Sequence, residues 1–168
     1  MDKAYCGIFD SSLGVVCIAC TDKGVCKIAL PKESEEGFLR WLEAHFGPQN
    51  VIEDRSKNEG VLAELESYLA GELRKFQSPL DLRGTEFQMK VWREVRAIPY
   101  GTTCSYRDIA ERIGHPRAHR AVGAANRVNP IPIIVPCHRV IGQDGSLRGY
   151  GGGLAMKEQL LRLEGAIG

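Results

Sequence analysis

No run of apolar residues in this 168-residue chain approaches the roughly 18 that a membrane-spanning helix needs, so a membrane protein is not expected. The first residues lack the basic-then-apolar pattern of a secretory signal, which predicts a reducing compartment such as the cytoplasm. In that setting the six cysteines are not expected to form disulfides. The glycine run at 149–153 lacks the spacing and the lysine of a P-loop, so we do not expect it to bind phosphate.

Net charge is also nearly absent, at +1, but this total hides two halves of opposite sign. Residues 1–81 carry 9 Lys and Arg against 14 Asp and Glu, whereas residues 82–168 carry 13 against 7. The sign changes within a segment rich in Pro, Gly and charged side chains, so the sequence predicts two domains, 1–80 and 81–168. A compact basic half favours a nucleic-acid-binding module, with a solvated basic surface as the alternative.

The first half has the pattern of a small α/β domain. Alternating apolar residues separated by turn signals predict an antiparallel meander of three strands at 4–9, 13–20 and 25–30. Ser34 is expected to cap a helix that ends at Gly47, and a short strand follows near residue 51. Apolar residues at helical spacing then predict a second helix from Asn58 that includes Leu73.

The second half is predicted to be mainly helical. Thr85 and Gln88 have the spacing of a capping box in front of an amphipathic helix. Ser105 begins a second helix that stops at Gly114, and Pro116 is expected to begin a third. Two short helices joined in this way are typical of a helix-turn-helix, although many helical hairpins bind nothing.

The third helix has an unusual outer face. Arginines and residues with almost no side chain share one stripe at helical spacing: Arg117, Arg120, Ala121, Ala124 and Arg127. Small residues flanked by arginines suit close approach to a DNA minor groove, where guanidinium groups meet phosphates or replace a displaced base. The alternative, which we weigh equally on these residues alone, is a helix packed closely on another through its alanines.

A cysteine next to a histidine lies between two apolar runs at 131–141, and we interpret Cys137 as a nucleophile. Burial among apolar residues normally raises the pKa of a thiol and leaves it inert. We expect His138 to reverse this by taking the thiol proton, leaving an ion pair at neutral pH. Pro132 and Pro136 restrict the residues before them, so the segment is predicted to be a stiff loop.

Two further features follow this loop. The glycine run at 149–153 contains one aromatic residue, Tyr150, and predicts a flexible lid. The last helix, 154–164, places Glu164 at the negative end of the helix dipole, which is unfavourable for a carboxylate. This position suggests a cationic or imidazole partner for Glu164, with a solvated glutamate as the ordinary alternative.

Together these segments resemble the O6-alkylguanine-DNA alkyltransferases over residues 84–168. The motifs that carry the resemblance are Arg120-Ala121-Val122-Gly123, Asn129-Pro130, Pro136-Cys137-His138-Arg139-Val140, Gly149-Tyr150, Gly152-Gly153 and Leu160-Leu161 followed by Glu164. The resemblance implies an α+β fold, in which a small ribonuclease-H-like α/β domain precedes a mainly helical, winged-helix-like domain with a helix-turn-helix. The first half shares only the expected layout of strands and then helices.

The resemblance also implies an activity. A monomer would bind double-stranded DNA through the minor groove and flip out an alkylated guanine. Cys137 would then take the alkyl group from O6 of guanine, or from O4 of thymine, once per molecule and without a cofactor. Such a protein would act in the cytoplasm, the nucleoid or the nucleus, wherever the DNA is.

Individual roles follow from positions that match the motifs. Glu164 would orient His138, which would deprotonate Cys137 through a water. Tyr106 would stabilise charge on the guanine ring, and Asn129 would tie the recognition helix to the active-site turn. Arg120 would occupy the space left by the flipped base. The remaining expected residues are Arg117, Ala121, Gly123, Ala124 and Arg127 on the DNA, and Asn126, Pro132, Val140, Tyr150 and Gly151 around the substrate.

The backbone carbonyls of Cys137 and Val140 would accept hydrogen bonds from the exocyclic amine of guanine. Two positions depart from patterns common in the family. Gly151 offers no side-chain hydroxyl, and Asn126 stands where some members have an apolar residue, so tolerance of large alkyl groups is open.

No metal ligand is assigned. The spacing of Cys17 and Cys20 suits zinc, and some relatives hold a structural zinc in this domain. However, residues three apart on a regular strand face opposite sides of the sheet, which argues against a shared ion.

Three alternatives remain at this point. An alkyltransferase-like protein binds the same lesions but has another residue in place of the cysteine. A helix-turn-helix regulator with a sensor cysteine would read the major groove with long polar side chains, which Ala121 and Ala124 do not provide. A cysteine hydrolase would be compatible with Cys137, His138 and Glu164 alone.

Overall fold

The computed structural model describes residues 2–168, which form two compact units, one ending at Leu82 and the other running from Arg83 to Gly168. The first unit contains a sheet with helices, and the second is mainly helical, so the predicted α+β fold is confirmed. Within residues 2–168 no helix is long and apolar enough to cross a membrane.

The first unit is built on a four-stranded sheet with the order β3-β2-β1-β4. Its strands are β1 (Ala4–Ser11), β2 (Gly14–Thr21), β3 (Gly24–Ala29) and β4 (Val51–Glu53). The first three pair antiparallel, which confirms the predicted meander, and β4 joins the edge of β1 in parallel.

Two helices complete this unit. Helix α1 (Glu35–Phe46) begins at Ser34, whose hydroxyl accepts a hydrogen bond from the Gly37 amide, and its apolar face packs on the sheet. Helix α2 is Glu59–Leu69, so the prediction that it includes Leu73 was wrong. The helix ends because Gly71 takes a positive φ of 78°, which allows its amide to turn back and donate to the Tyr68 carbonyl.

Cysteines of the sheet lie in its hydrophobic core. Cys17 packs with Cys6 and Cys26 against α1, whereas the Cys20 thiol donates to the Lys57 carbonyl in a separate 3-10 turn. Burial, followed by the charges of Glu35 and Glu33, raises the pKa of Cys17 to about 11. Among residues 2–168 no group of three or more His, Cys, Asp or Glu side chains is placed to hold a metal ion.

Four helices and a two-stranded sheet make up the second unit. They are α3 (Glu86–Arg96), β5 (Cys104–Ser105), α4 (Tyr106–Arg112), α5 (His119–Arg127), β6 (Val140–Ile141) and α6 (Leu154–Leu163). Capping boxes start α3 at Thr85 and α4 at Ser105. The indole of Trp92 on α3 donates to the Ala125 carbonyl on α5 at 2.9 Å and ties these helices together.

The third of the predicted helices begins later than expected. Pro116 lies in a turn closed by a hydrogen bond from the Ala118 amide to the His115 carbonyl, and α5 starts only at His119. Proline is tolerated in a first helical turn but does not create one. Arg117 therefore precedes the helix instead of belonging to its stripe.

Strands β5 and β6 were not predicted, yet they position the site. They pair in parallel, with Cys104 opposite Val140 and Ser105 opposite Ile141. Since Tyr106 directly follows β5 and Val140 directly follows Cys137-His138-Arg139, this short ladder brings the start of α4 to the cysteine turn.

Candidate active site

Cys137 lies at the start of a 3-10 turn, Cys137–Arg139, and only 4% of it is exposed. The Cys137 amide donates to the Val135 carbonyl at 2.7 Å, and the Val135 amide donates to the Ile131 carbonyl at 2.9 Å. Between them Ile133 has a φ of +75°, which is strained for a β-branched residue. The turn is therefore held in a conformation that its own sequence does not favour.

Asn129 holds this turn closed. Its side-chain amide donates to the Val135 carbonyl at 2.8 Å, and its side-chain oxygen accepts from the Ile131 amide at 3.0 Å. Asn129 lies two residues beyond α5, so it braces the turn from just outside the helix. The direct bond from within α5 comes from Asn126, whose Nδ2 donates to the Cys137 carbonyl at 3.2 Å.

His138 and Glu164 meet as the sequence suggested. His138 Nε2 lies 2.7 Å from Glu164 Oε2, and both side chains are fully buried. Sequence reasoning missed the second partner of this carboxylate, Arg139, whose Nε and Nη2 donate to Glu164 at 2.8 and 2.9 Å. Arg139 Nη1 also donates to the Ile98 carbonyl at 2.7 Å. The guanidinium therefore holds both oxygens of Glu164 in place, with Oε2 in contact with the His138 imidazole.

Electrostatics correct one expectation about this pair. Burial raises the pKa of the Cys137 thiol to about 11, with only partial opposition from hydrogen bonding to Asn129 and from the charge of Lys157. Burial also lowers the pKa of His138, against the raising effect of Glu164. The expected thiolate–imidazolium pair at neutral pH is therefore wrong for the resting state, in which thiol and imidazole are both neutral.

Lys157 is a second functional residue that the sequence analysis missed. It is fully buried, and its ammonium donates to the carbonyls of Val140 and Arg148 at 2.6 Å each. Burial lowers its pKa to about 8. A signal was available, because Lys157, Leu160, Leu161 and Glu164 have the spacing of one inward face of α6.

Tyr106 lies between Cys137 and the solvent and is partly exposed. Its hydroxyl donates to the Arg148 carbonyl at 3.0 Å, and its pKa is raised by burial and then by the charge of Cys137. Tyr150 is buried as well, and its side chain lies close enough to Cys137 to lower the pKa of the thiol slightly. The glycine run thus places its one aromatic side chain against the nucleophile.

A cavity of about 540 Å³ opens beside Tyr106. Its lining is strongly basic and comes from Arg107, His119, Arg120, Arg127 and Arg148, together with Tyr106, Gly123, Gly142, Gln143, Asp144 and Gly149. None of the five expected substrate residues, Asn126, Pro132, Val140, Tyr150 and Gly151, is part of this lining. Val140 and Asn126 are instead buried next to Cys137, and Gly151 is exposed beside the Arg127 carbonyl.

The outer face of α5 is solvent-exposed. Arg120, Ala121, Ala124 and Arg127 are all exposed, whereas Val122, Ala125 and Asn126 form its buried side. The alternative in which Ala121 and Ala124 pack against another helix of this unit is therefore wrong. Gly123 is half-buried where the Tyr106 ring approaches the helix.

Comparisons with known proteins agree with this geometry. Residues 4–82 match the model of the 6-O-methylguanine DNA methyltransferase ribonuclease-like domain, and residues 86–166 match that of the DNA binding domain. A Methanosarcina acetivorans methylated-DNA–protein-cysteine methyltransferase is 44% identical over 162 residues, covering 96% of this chain and 99% of the relative. The Mycolicibacterium paratuberculosis protein of the same name is 61% identical over 128 residues, 75% of this chain and 78% of the relative.

Solved structures give the same result. The crystal structure of Mycobacterium tuberculosis OGT in complex with DNA is similar, with a TM-score of 0.84 at 41% identity over 96% of this chain and 93% of that one. The O6-methylguanine-DNA methyltransferase of the archaeon Pyrococcus kodakaraensis has a TM-score of 0.63 at 27% identity, over 96% of this chain and 99% of that one.

Proposed function

Since this chain belongs to the 6-O-methylguanine DNA methyltransferase family, we propose that it repairs DNA by moving the alkyl group of O6-alkylguanine onto Cys137. The observation that carries the proposal is the buried Cys137 next to a neutral His138 whose orientation is fixed by Glu164. Repair at O4 of alkylated thymine is part of the same proposal, because the same sulfur can attack the same kind of alkyl carbon.

Each atom in the transfer has a destination. The Cys137 sulfur bonds to the alkyl carbon as the bond from that carbon to O6 breaks, and guanine keeps the electron pair. The thiol proton passes through a water to His138 Nδ1, because Nε2 is held by Glu164. Tyr106 turns its hydroxyl from the Arg148 carbonyl toward the guanine ring and supplies a proton there.

The bidentate contact of Arg139 with Glu164 has a purpose in this scheme. Two charge-assisted hydrogen bonds from Arg139 hold the Glu164 side chain where it stabilises the imidazolium once His138 has taken the proton. The product is a thioether, which has no easy leaving group. Each molecule therefore acts once, and no cofactor is consumed.

DNA reaches this site along α5. Exposed alanines allow the helix to lie close to the floor of a minor groove, with arginines reaching the phosphates on either side. Arg120 fills the gap left by the flipped base, a role supported by its position in the lining of the basic cavity. One chain carries all of these groups, so the protein acts as a monomer in whichever compartment holds the DNA, the cytoplasm, nucleoid or nucleus.

The other candidate functions lack support. An alkyltransferase-like binder would not have Cys137, and a major-groove regulator would not expose Ala121 and Ala124 at the DNA. A cysteine hydrolase would turn over an ester repeatedly, whereas a thioether on Cys137 ends the reaction after one transfer.

The direct test is incubation with a duplex containing one O6-methylguanine, followed by mass spectrometry of the protein and its peptides. We expect one methyl group per molecule, located on Cys137. Cys104→Ser, which removes the half-buried cysteine of the same unit, should still accept one methyl group, whereas Cys137→Ser should accept none. Methylation elsewhere, or repeated turnover, would contradict the proposal.

Arg120→Ala tests the binding mode. We expect repair of duplex DNA to slow by about 10-fold or more. Without the Arg120 side chain, nothing fills the gap that the flipped base leaves in the DNA, so the cost of unstacking that base is not offset. Reaction with free O6-benzylguanine should be unchanged, since no base needs to be flipped. Arg112→Ala, an exposed arginine outside this stripe, is the matched control and should leave both rates unchanged. Equal losses on both substrates in Arg120→Ala would refute the role in base flipping.

A further inference from the structure

The basic cavity beside Tyr106 gathers more cations than the outer stripe of α5 supplies. Arg120 and Arg127 belong to that stripe and line the cavity. Three further cations come from α4, from the first residue of α5 and from the loop after β6, namely Arg107, His119 and Arg148. A helix in a minor groove needs cations along its length to reach the phosphates of two strands. Cations from three elements around one hollow suit instead a compact anion that enters the hollow.

Most of this positive charge is not neutralised by the protein. Within residues 2–168 the three helical arginines of the lining form no ion pair or hydrogen bond through their side chains. Arg148 has one exposed ion pair, in which its Nη2 lies 3.5 Å from Asp144 Oδ2, and it also donates to Ser146 at 3.0 Å. Four arginines and one aspartate therefore give the lining a net charge of +3 when His119 is neutral.

The size and charge of the cavity fit a nucleotide. Its volume of about 540 Å³ falls in the range of roughly 300–1,000 Å³ that small-molecule sites occupy. A DNA phosphodiester carries a single charge, whereas a nucleoside triphosphate concentrates a charge of about −4 in one compact group. Guanidinium groups bind phosphate oxygens in a bidentate manner, and four of them line this cavity. Among compounds that carry guanine, a triphosphate therefore matches the lining better than one backbone phosphate does.

Tyr106 joins this cavity to the nucleophile. Its side chain lines the cavity, and its pKa is raised by burial and then by the charge of Cys137. In guanine, O6 and the sugar-bearing N9 lie at opposite ends of the purine. A base with O6 at the Cys137 sulfur and its ring at Tyr106 therefore directs its sugar, and any 5′ phosphates, outward to the cavity.

We propose that the protein also accepts the alkyl group of free O6-alkylguanine nucleoside triphosphates, whose phosphates bind in the basic cavity. The inference rests on the proposed function and extends its substrates from DNA to free nucleotides. A free nucleotide is already unstacked and leaves no gap in a duplex, so Arg120 remains in the cavity and contacts phosphate.

The transfer step is the same as on DNA and balances in the same way. The Cys137 sulfur bonds to the alkyl carbon as the bond from that carbon to O6 breaks, and the thiol proton passes to His138. Guanine keeps the electron pair and gains a proton on its ring. The products are the S-alkylated protein and the unmodified guanine nucleoside triphosphate, which a polymerase can use without introducing the lesion into DNA.

The experiment measures methyl transfer under single-turnover conditions from O6-methyl-2′-deoxyguanosine and from its 5′-mono-, di- and triphosphates. We expect the second-order rate constant to rise with each phosphate and to be about 10-fold or more higher for the triphosphate than for the nucleoside. Added salt should slow the triphosphate reaction and leave the nucleoside reaction unchanged, because only the former depends on attraction between charges. Inorganic triphosphate should likewise inhibit only the reactions of the phosphorylated compounds.

The double variant Arg107→Ala, Arg148→Ala tests the cavity without touching the arginines of the α5 stripe. It should bring the triphosphate rate to within about threefold of the nucleoside rate, and the nucleoside rate itself should not change. Arg112→Ala is the matched control, because Arg112 is an exposed arginine of the same helix as Arg107 that does not line the cavity. This control should keep the full preference for the triphosphate.

Two results would overturn the proposal. The first is a triphosphate that reacts no faster than the nucleoside, or no transfer from any free compound, while a methylated duplex still reacts. The second is a triphosphate preference that survives in the double variant, since the phosphates would then bind elsewhere. Absence of methyl transfer from the duplex as well would instead overturn the proposed function itself.

Discussion

Cys17 in the first unit and Cys137 in the second are both buried, and burial is the largest cause that raises the pKa of each thiol to about 11. Their neighbours differ. Cys17 lies near the carboxylates of Glu35 and Glu33, which oppose ionisation further. Cys137 lies near the Lys157 ammonium and adjoins His138.

A perturbed thiol pKa therefore does not distinguish a nucleophile from a core residue in this protein. Both cysteines are protonated at rest, which protects them from unwanted oxidation and alkylation. Reactivity depends on a base that can remove the proton at the moment of attack, and only Cys137 has one, held by Glu164 and Arg139.

The largest expected effect comes from removing that base. His138→Gln should slow methyl transfer by about 10²–10⁴-fold, which is the usual contribution of a positioned general base. Single-turnover kinetics with methylated duplex would measure it. His45→Gln in the first unit is the control and should leave the rate unchanged, because exposed His45 contacts only Trp41 there, by ring stacking and by a 2.8 Å contact of Nδ1 with the Trp41 carbonyl. A loss below about threefold in His138→Gln would mean that Cys137 needs no base and differs little from Cys17.

Arg139→Gln should lower the free energy of unfolding by about 3–5 kcal/mol, because it leaves a buried Glu164 carboxylate without its cationic partner. Urea unfolding monitored by Trp fluorescence would measure the change. Arg162→Gln breaks an exposed ion pair with Glu158 and should cost less than about 1 kcal/mol. Similar costs in the two variants would show that Glu164 does not depend on Arg139.

Methylation of Cys137 should destabilise the fold by about 1–3 kcal/mol through overpacking, since the sulfur lies among buried apolar side chains with little room. The melting temperature before and after stoichiometric methyl transfer would show it. An unchanged melting temperature would mean that a pocket for the alkyl group already exists beside the sulfur.

The smallest expected effect is the dependence of the transfer rate on pH. Burial lowers the pKa of His138, so the base is already neutral at pH 7, and its protonation slows transfer only on the acid side. Above pH 7 the rate should not rise, because the base is already neutral, and it should fall gradually as Lys157, whose pKa is about 8, loses the charge that favours ionisation of Cys137. If free thiolate were the nucleophile, the rate would rise about tenfold per pH unit toward the Cys137 pKa of about 11, as expected for Cys17.

Local signals in the sequence predicted much of this fold. Hydrophobic alternation gave the three-stranded meander, and the capping residues Ser34, Thr85 and Ser105 marked helix starts that the structure confirms. The predictions fail where a signal permits an element without requiring it. Pro116 predicts a helix start, but α5 begins at His119, and Leu73 has helical spacing, but α2 ends at Leu69.

The candidate site shows a different limit. Cys137 and His138 could be predicted from their motif, and Glu164 from its position at the end of the last helix. The hydrogen-bond partners of a carboxylate or a carbonyl come from chain segments that are distant in sequence, so they could not be predicted in the same way. Arg139 has no sequence signal of burial, and the spacing of Lys157 on α6 indicates an inward face without naming its partners. The tertiary fold shows which groups of the active site each cation binds.

The strained backbone of Ile133 makes the chemistry depend on the complete fold. A short peptide does not hold a β-branched residue at positive φ, so the turn around Ile133 needs Asn129 and the surrounding core in place. A nascent or partly unfolded chain therefore carries Cys137 as an ordinary cysteine without an aligned base. The capacity to accept an alkyl group is a property of the folded unit, and a chain that fails to fold does not present an activated nucleophile.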